Sequence, residues 1–104
     1  MAHRSMPHDR GFIYFCKIDE KNTKIGFTNS IKNTLQIYHR INPSAKMDYY
    51  FEVNDKLSAE KLVHKICNPH RIEGEIFCIP KEIIQFAEII CINNGLCVMP
   101  MDIC

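Results

Sequence analysis

The chain has 104 residues, 46% of them apolar, and a formal net charge of +1. That length suits one domain with a modest core. No apolar run approaches the roughly 18 residues of a membrane span, and residues 1–10 lack the apolar stretch of a secretory signal.

Six cysteines (Cys16, Cys67, Cys78, Cys91, Cys97 and Cys104) include no C-x-x-C pair. Most sit among apolar neighbours, which suits reduced, buried thiols in an intracellular protein. A zinc site built from paired ligands at short spacing is not in the pattern. Charge is uneven: residues 1–50 carry eight Lys/Arg against four Asp/Glu, while residues 51–104 carry five against eight. Lys17, Lys21, Lys24, Lys32, Arg40 and Lys46 therefore outline a modest basic surface, a pattern suited to phosphate.

Residues 1–10 read as a flexible arm. Alternation then predicts a strand at about 11–18 and a second at 23–28, joined by the turn-forming Asp19-Glu20-Lys21-Asn22. With period two, Ile13, Phe15, Ile25 and Phe27 share an apolar face. Tyr14, Lys24 and Gly26 fall on the other, where glycine leaves an open shelf beside the tyrosine hydroxyl. Asn29 or Ser30 caps a helix over 31–41 whose buried stripe is Ile31, Leu35, Tyr38 and Ile41. Pro43 ends it. A third strand covers 46–53, with Met47, Tyr49, Phe51 and Val53 alternating against Asp48, Tyr50 and Glu52.

A second helix runs from Asp55 or Ser58 to Cys67, with Ala59, Leu62, Val63, Ile66 and Cys67 in its stripe. Asn68-Pro69 stops it. A short strand follows at 75–79, and Glu73 and Glu75 before it bracket Gly74 and face water. Pro80 fits the first turn of a third helix, which buries Ile83, Ile84, Phe86, Ala87, Ile90 and Cys91. Asn94-Gly95 ends that helix, and residues 96–104 form an apolar tail. The order β-β-α-β-α-β-α describes an α+β fold, a small antiparallel sheet with packed helices.

One pair on the second helix carries chemistry. Glu60 and His64, four residues apart, lie one above the other at the margin of the apolar stripe. A sheltered carboxylate and imidazole can hold a divalent metal or move protons.

Gly11-Phe12-Ile13-Tyr14 and Lys24-Ile25-Gly26, followed by Glu60 to His64 and Gly74-Glu75-Ile76-Phe77, resemble the GIY-YIG nuclease superfamily, which includes the N-terminal domain of UvrC. The form with lysine in the second motif is similar to a small single-domain branch common in bacteriophages and large DNA viruses. The resemblance spans about residues 11–80, and it implies a domain over 11–95 that hydrolyses DNA phosphodiester bonds with Mg2+ or Mn2+. It implies Tyr14 as the base, Gly26 as the open position, Glu60 as the metal ligand and His64 as a supporting group. A neighbouring cation lowers a phenol's pKa, which makes Lys24 the expected partner of Tyr14. Lys32, Arg40 and Arg71 join Gly26 as expected substrate-facing residues. The family usually carries an arginine on the first helix, where this chain has Thr34, and Lys32 and Arg40 lie on other sides of that helix. An endonuclease of the cytoplasm or host nucleus is the first expectation. A DNA-binding module without strong catalysis is the second, and an accessory protein that dimerises or binds a partner through its tail is the third.

Overall fold

β1 (Gly11–Lys17) and β2 (Thr23–Thr28) form the hairpin that alternation predicts. The Asp19 carboxylate ties its turn, accepting from the backbone of Lys21 and Asn22 at 2.9 Å each and from the Asn22 amide at 2.8 Å. Ile13, Phe15 and Ile25 are fully buried. Phe27, expected beside them, is 36% exposed because it lies past the last residue of β2 that has a neighbour on its outer edge. The computed structural model describes residues 9–98, so most of the arm and residues 99–104 of the tail lie outside the described residues.

α1 (Ile31–Ile41) starts at Ser30, whose Oγ accepts from the Asn33 amide at 3.2 Å. Ile31 and Tyr38, together with Met47, pack on Tyr14, Cys16 and Ala45. Ile41, expected in the buried stripe, is 81% exposed; it lies beyond Tyr38, the last residue of the helix that packs on this cluster. β3 (Lys46–Val53) pairs with the other edge of β1. Its register shifts between Phe15, opposite Tyr49, and Cys16, opposite Met47. This bulge leaves Asp48 unopposed and carries Met47 to the Tyr14 face, against the unbroken alternation expected.

α2 (Lys56–Cys67) is capped by Asp55, which accepts from the Ser58 amide at 3.2 Å and from its hydroxyl at 2.9 Å. Ala59, Val63 and Cys67 are wholly buried. Burying a side chain such as Val63 contributes roughly 1.5–3 kcal/mol. A 3-10 turn, Asn68–His70, leads into β4 (Arg71–Glu73) and β5 (Ile76–Phe77). The single strand expected at 75–79 is therefore shorter, and it forms a hairpin with a strand that alternation missed. Gly74 allows the tight link with its positive φ of 54°.

α3 (Lys81–Asn93) begins after an extended Pro80 and buries Ile84, Ala87 and Cys91. Phe86, expected in that face, is 50% exposed. It sits two residues, or about 200°, round the helix from Ile84. The Tyr49 hydroxyl donates to Glu88 and ties β3 to this helix. After Gly95 the chain returns along the end of β3. Asn54 N–H donates to Leu96 O at 2.9 Å and Val98 N–H to Glu52 O at 3.1 Å. Leu96 and Cys97 pack on the domain's own core.

The sheet order is β3-β1-β2-β5-β4, antiparallel throughout. α1 covers the Tyr14 face, and α2 and α3 cover the Ile13 face. The architecture is α+β. No described helix is long and apolar enough to cross a membrane. β5 has only two residues, so strand pairing on that edge of β2 ends at Ile25, and the candidate site gathers where it ends.

Candidate metal centre and phenol pair

Tyr14 lies directly opposite Gly26 in the β1–β2 ladder. Its ring folds across that position: a Cβ on Gly26 would stand 2.6 Å from the Tyr14 hydroxyl oxygen and 2.8 Å from Cζ. The shelf expected over Gly26 is thus filled by the tyrosine itself. Glycine is needed there because the ring takes the space of a side chain. Tyr14 is 5% exposed. Burial, followed by its bond to Tyr38, raises its pKa above the ordinary 10.0. The lowering expected from Lys24 is not found.

The Tyr14 hydroxyl meets Tyr38 Oη at 3.0 Å. Sequence reasoning placed Tyr38 only in a packing stripe. A buried phenol needs a partner for its hydroxyl, and that requirement was the available signal. One turn earlier, Thr34 Oγ1 donates to Thr28 Oγ1 at 2.6 Å. A neutral hydroxyl pair therefore stands on the helix face where the resemblance implies an arginine.

Glu60 and His64 meet as their spacing predicts, with His64 Nε2 3.8 Å from Glu60 Oε2 and each side chain 16% exposed. His64 Nε2 also lies 3.1 Å from Ile25 O. A carbonyl only accepts, so this nitrogen carries the proton in that contact. Glu75 completes the group. One donor atom from each of Glu60, His64 and Glu75 lies within 4.8 Å of the others. Glu75 is exposed, as sequence reasoning expected, but that reasoning did not place it beside Glu60 and His64. The pairing of Ile25 N–H with Glu75 O at 3.0 Å brings it to the edge of β2, whereas Glu73 lies on β4, outside the group.

Lys24 Nζ pairs with Glu75 Oε1 at 2.5 Å. Burial opposes its charge, but its contacts with Glu75 and Tyr38 prevail and its pKa is raised. Burial likewise pushes the Glu60 carboxyl above its ordinary range. Glu75 adds to that rise, while His64 and Lys24 oppose it.

The donors fit a divalent ion. The donor atoms, all within 4.8 Å of one another, lie close enough together for a divalent cation to gather them with small side-chain adjustments. Two carboxylates suit Mg2+ or Mn2+, and an imidazole favours the latter. Glu60 and Glu75 are the available ligands. His64 joins them only by giving up its bond to Ile25 O.

The remaining predicted residues divide. Arg71 Nη1 donates to Gly74 O at 2.7 Å, and its guanidinium lies 4.9 Å from the centre of the Phe77 ring. His64 touches the same ring, with centroids 5.3 Å apart. Arg71 therefore braces the β4–β5 hairpin beside the centre. Lys32 and Arg40 are exposed on α1. Lys17 and Lys46 line a cavity of about 460 Å³ together with Asp19 and Glu20, so the basic surface is interrupted by acids.

A search against protein families matches residues 11–91 to the T5orf172 domain. The chain belongs to the T5orf172 domain family. That span starts at the first residue of β1 and ends in α3, so the T5orf172 match contains every residue of the phenol pair and of the Glu60–His64–Glu75 group. No curated protein and no solved structure matches the chain significantly.

Proposed function

We propose that this T5orf172 domain is a metal-dependent DNA endonuclease of GIY-YIG type. One observation carries the reading. Three successive residues of β2 each touch a different part of the site: Lys24 pairs with Glu75, Ile25 O meets His64, and Gly26 accommodates the Tyr14 ring. A carboxylate group and a phenol pair are thereby fixed to one short stretch of β2 where its pairing with β5 ends, and a rigid strand sets geometry more closely than a loop.

Glu60 and Glu75 would hold Mg2+ or Mn2+, which when bound supplies a Lewis acid for phosphate oxygen and an activated water. Tyr14 serves as a protonated phenol. With one side of its hydroxyl engaged by Tyr38, the other side orients the attacking water or a phosphate oxygen. His64 steadies Glu60 from the strand edge. Lys24 supplies positive charge on the Tyr14 face, and the exposed Lys32 and Arg40 contact backbone phosphates, which position DNA without reading its sequence. Incubation with supercoiled plasmid in Mg2+ or Mn2+ tests this reading. Nicking that a chelator abolishes supports it, and intact plasmid with a folded protein in both metals counts against it.

The Thr34–Thr28 pair favours a second reading. If the charge of an arginine on that face is needed for catalysis, the same scaffold binds DNA and leaves it intact.

A further inference from the structure

The Lys24 ammonium already occupies one arm of the carboxylate centre. It contacts Glu75 Oε1 directly, and its positive charge also acts on Glu60. A divalent ion drawn to Glu60 and Glu75 meets this ammonium first. Whichever Glu75 oxygen the ion takes, an ammonium held on the same carboxylate repels it.

We propose that Lys24 is an internal counter-ion, displaced from Glu75 when the divalent ion binds, so that metal loading frees its ammonium toward the phenol pair. The inference rests on the metal reading above and goes beyond it in naming the residue that sets metal affinity. Without metal, Lys24 neutralises Glu75 and keeps two carboxylates tolerable beside each other. With metal, the ion takes over that work. The freed ammonium then lies on the face of Tyr14 and Tyr38, where phosphate charge develops. In this account a strand lysine supplies the cation that Thr34 cannot.

The test is Mn2+ binding by isothermal titration calorimetry on the full chain, without DNA. Lys24→Met removes the competing charge, Lys24→Arg keeps it, and Glu60→Gln removes the primary ligand. Thermal melts establish that each variant is folded. Exchange predicts that Lys24→Met tightens Mn2+ binding on the order of fivefold, the size of a modest ion pair. Lys24→Arg stays near wild type. Binding by Lys24→Met equal to or weaker than wild type, with Glu60→Gln defective, overturns the exchange and leaves the metal centre standing. Absence of binding in both wild type and Lys24→Met removes the metal centre and the exchange together. Binding in Lys24→Met alone supports the exchange in its strongest form.

Discussion

The hydroxyls of Tyr14 on β1 and Tyr38 on α1 stand 3.0 Å apart, so the sheet and its covering helix meet through a phenol pair. Removing one hydroxyl removes the pair but little of the packing. Tyr14→Phe is expected to cost ~1 kcal/mol of stability, the usual net value of such a bond. DNA cleavage is expected to fall by about 10²-fold or more, as for loss of a group acting on the water. Denaturant melts and nicking rates measured side by side separate the two effects.

Gly26 tests the packing directly. A methyl group there would stand 2.6 Å from the Tyr14 hydroxyl oxygen, and the neighbouring ring atoms are almost as close. Gly26→Ala is expected to displace the ring and destabilise the fold by about 1–3 kcal/mol, the range for overpacking. In a Tyr14→Ala background the same substitution meets no ring, and most of the cost disappears. A double-mutant cycle from denaturant melts reads this coupling.

Much of this geometry was legible in the sequence. Alternation placed Tyr14, Lys24 and Gly26 on one face, and the four-residue spacing placed Glu60 against His64. What could not be read depends on cross-chain register. Glu75 belongs to the centre because β5 pairs with β2 at Thr23 and Lys24 and then stops. Met47 changes face because the bulge at Asp48 resets the period. Ile41 is exposed because it lies beyond Tyr38, the last α1 residue packed on the sheet, and Phe86 because it lies about 200° round α3 from Ile84.

Glu60 gives a pH-dependent prediction. Burial raises its carboxyl in the fold above the ordinary 4.5. The folded state therefore holds this proton more tightly than the unfolded chain, and the group's relative stabilisation is lost as pH rises through its folded pKa. In chelator, Glu60→Gln is expected to melt above wild type at neutral pH, with the gap closing as pH falls toward the unfolded value. Added Mn2+ reverses the order by stabilising wild type alone. Calorimetric melts across this pH range measure both effects.

The thiols offer a check on the core. Burial pushes Cys67 to about 11 and Cys91 to about 12, whereas Cys78 is exposed. Thiolate is the reactive form. A thiol-specific reagent at mildly alkaline pH is expected to label Cys78 in the native protein, and Cys16, Cys67 and Cys91 only after denaturation. Peptide mapping by mass spectrometry identifies the labelled positions.

The most direct measurement is nicking of supercoiled plasmid in Mn2+ by wild type, Tyr14→Phe and Glu60→Gln, each shown to be folded, with chelator added to a wild-type control. The account predicts open-circular product from wild type alone, with both variants and the control leaving the plasmid supercoiled. Glu60→Gln cutting at the wild-type rate, or folded wild type leaving the plasmid intact, would contradict it.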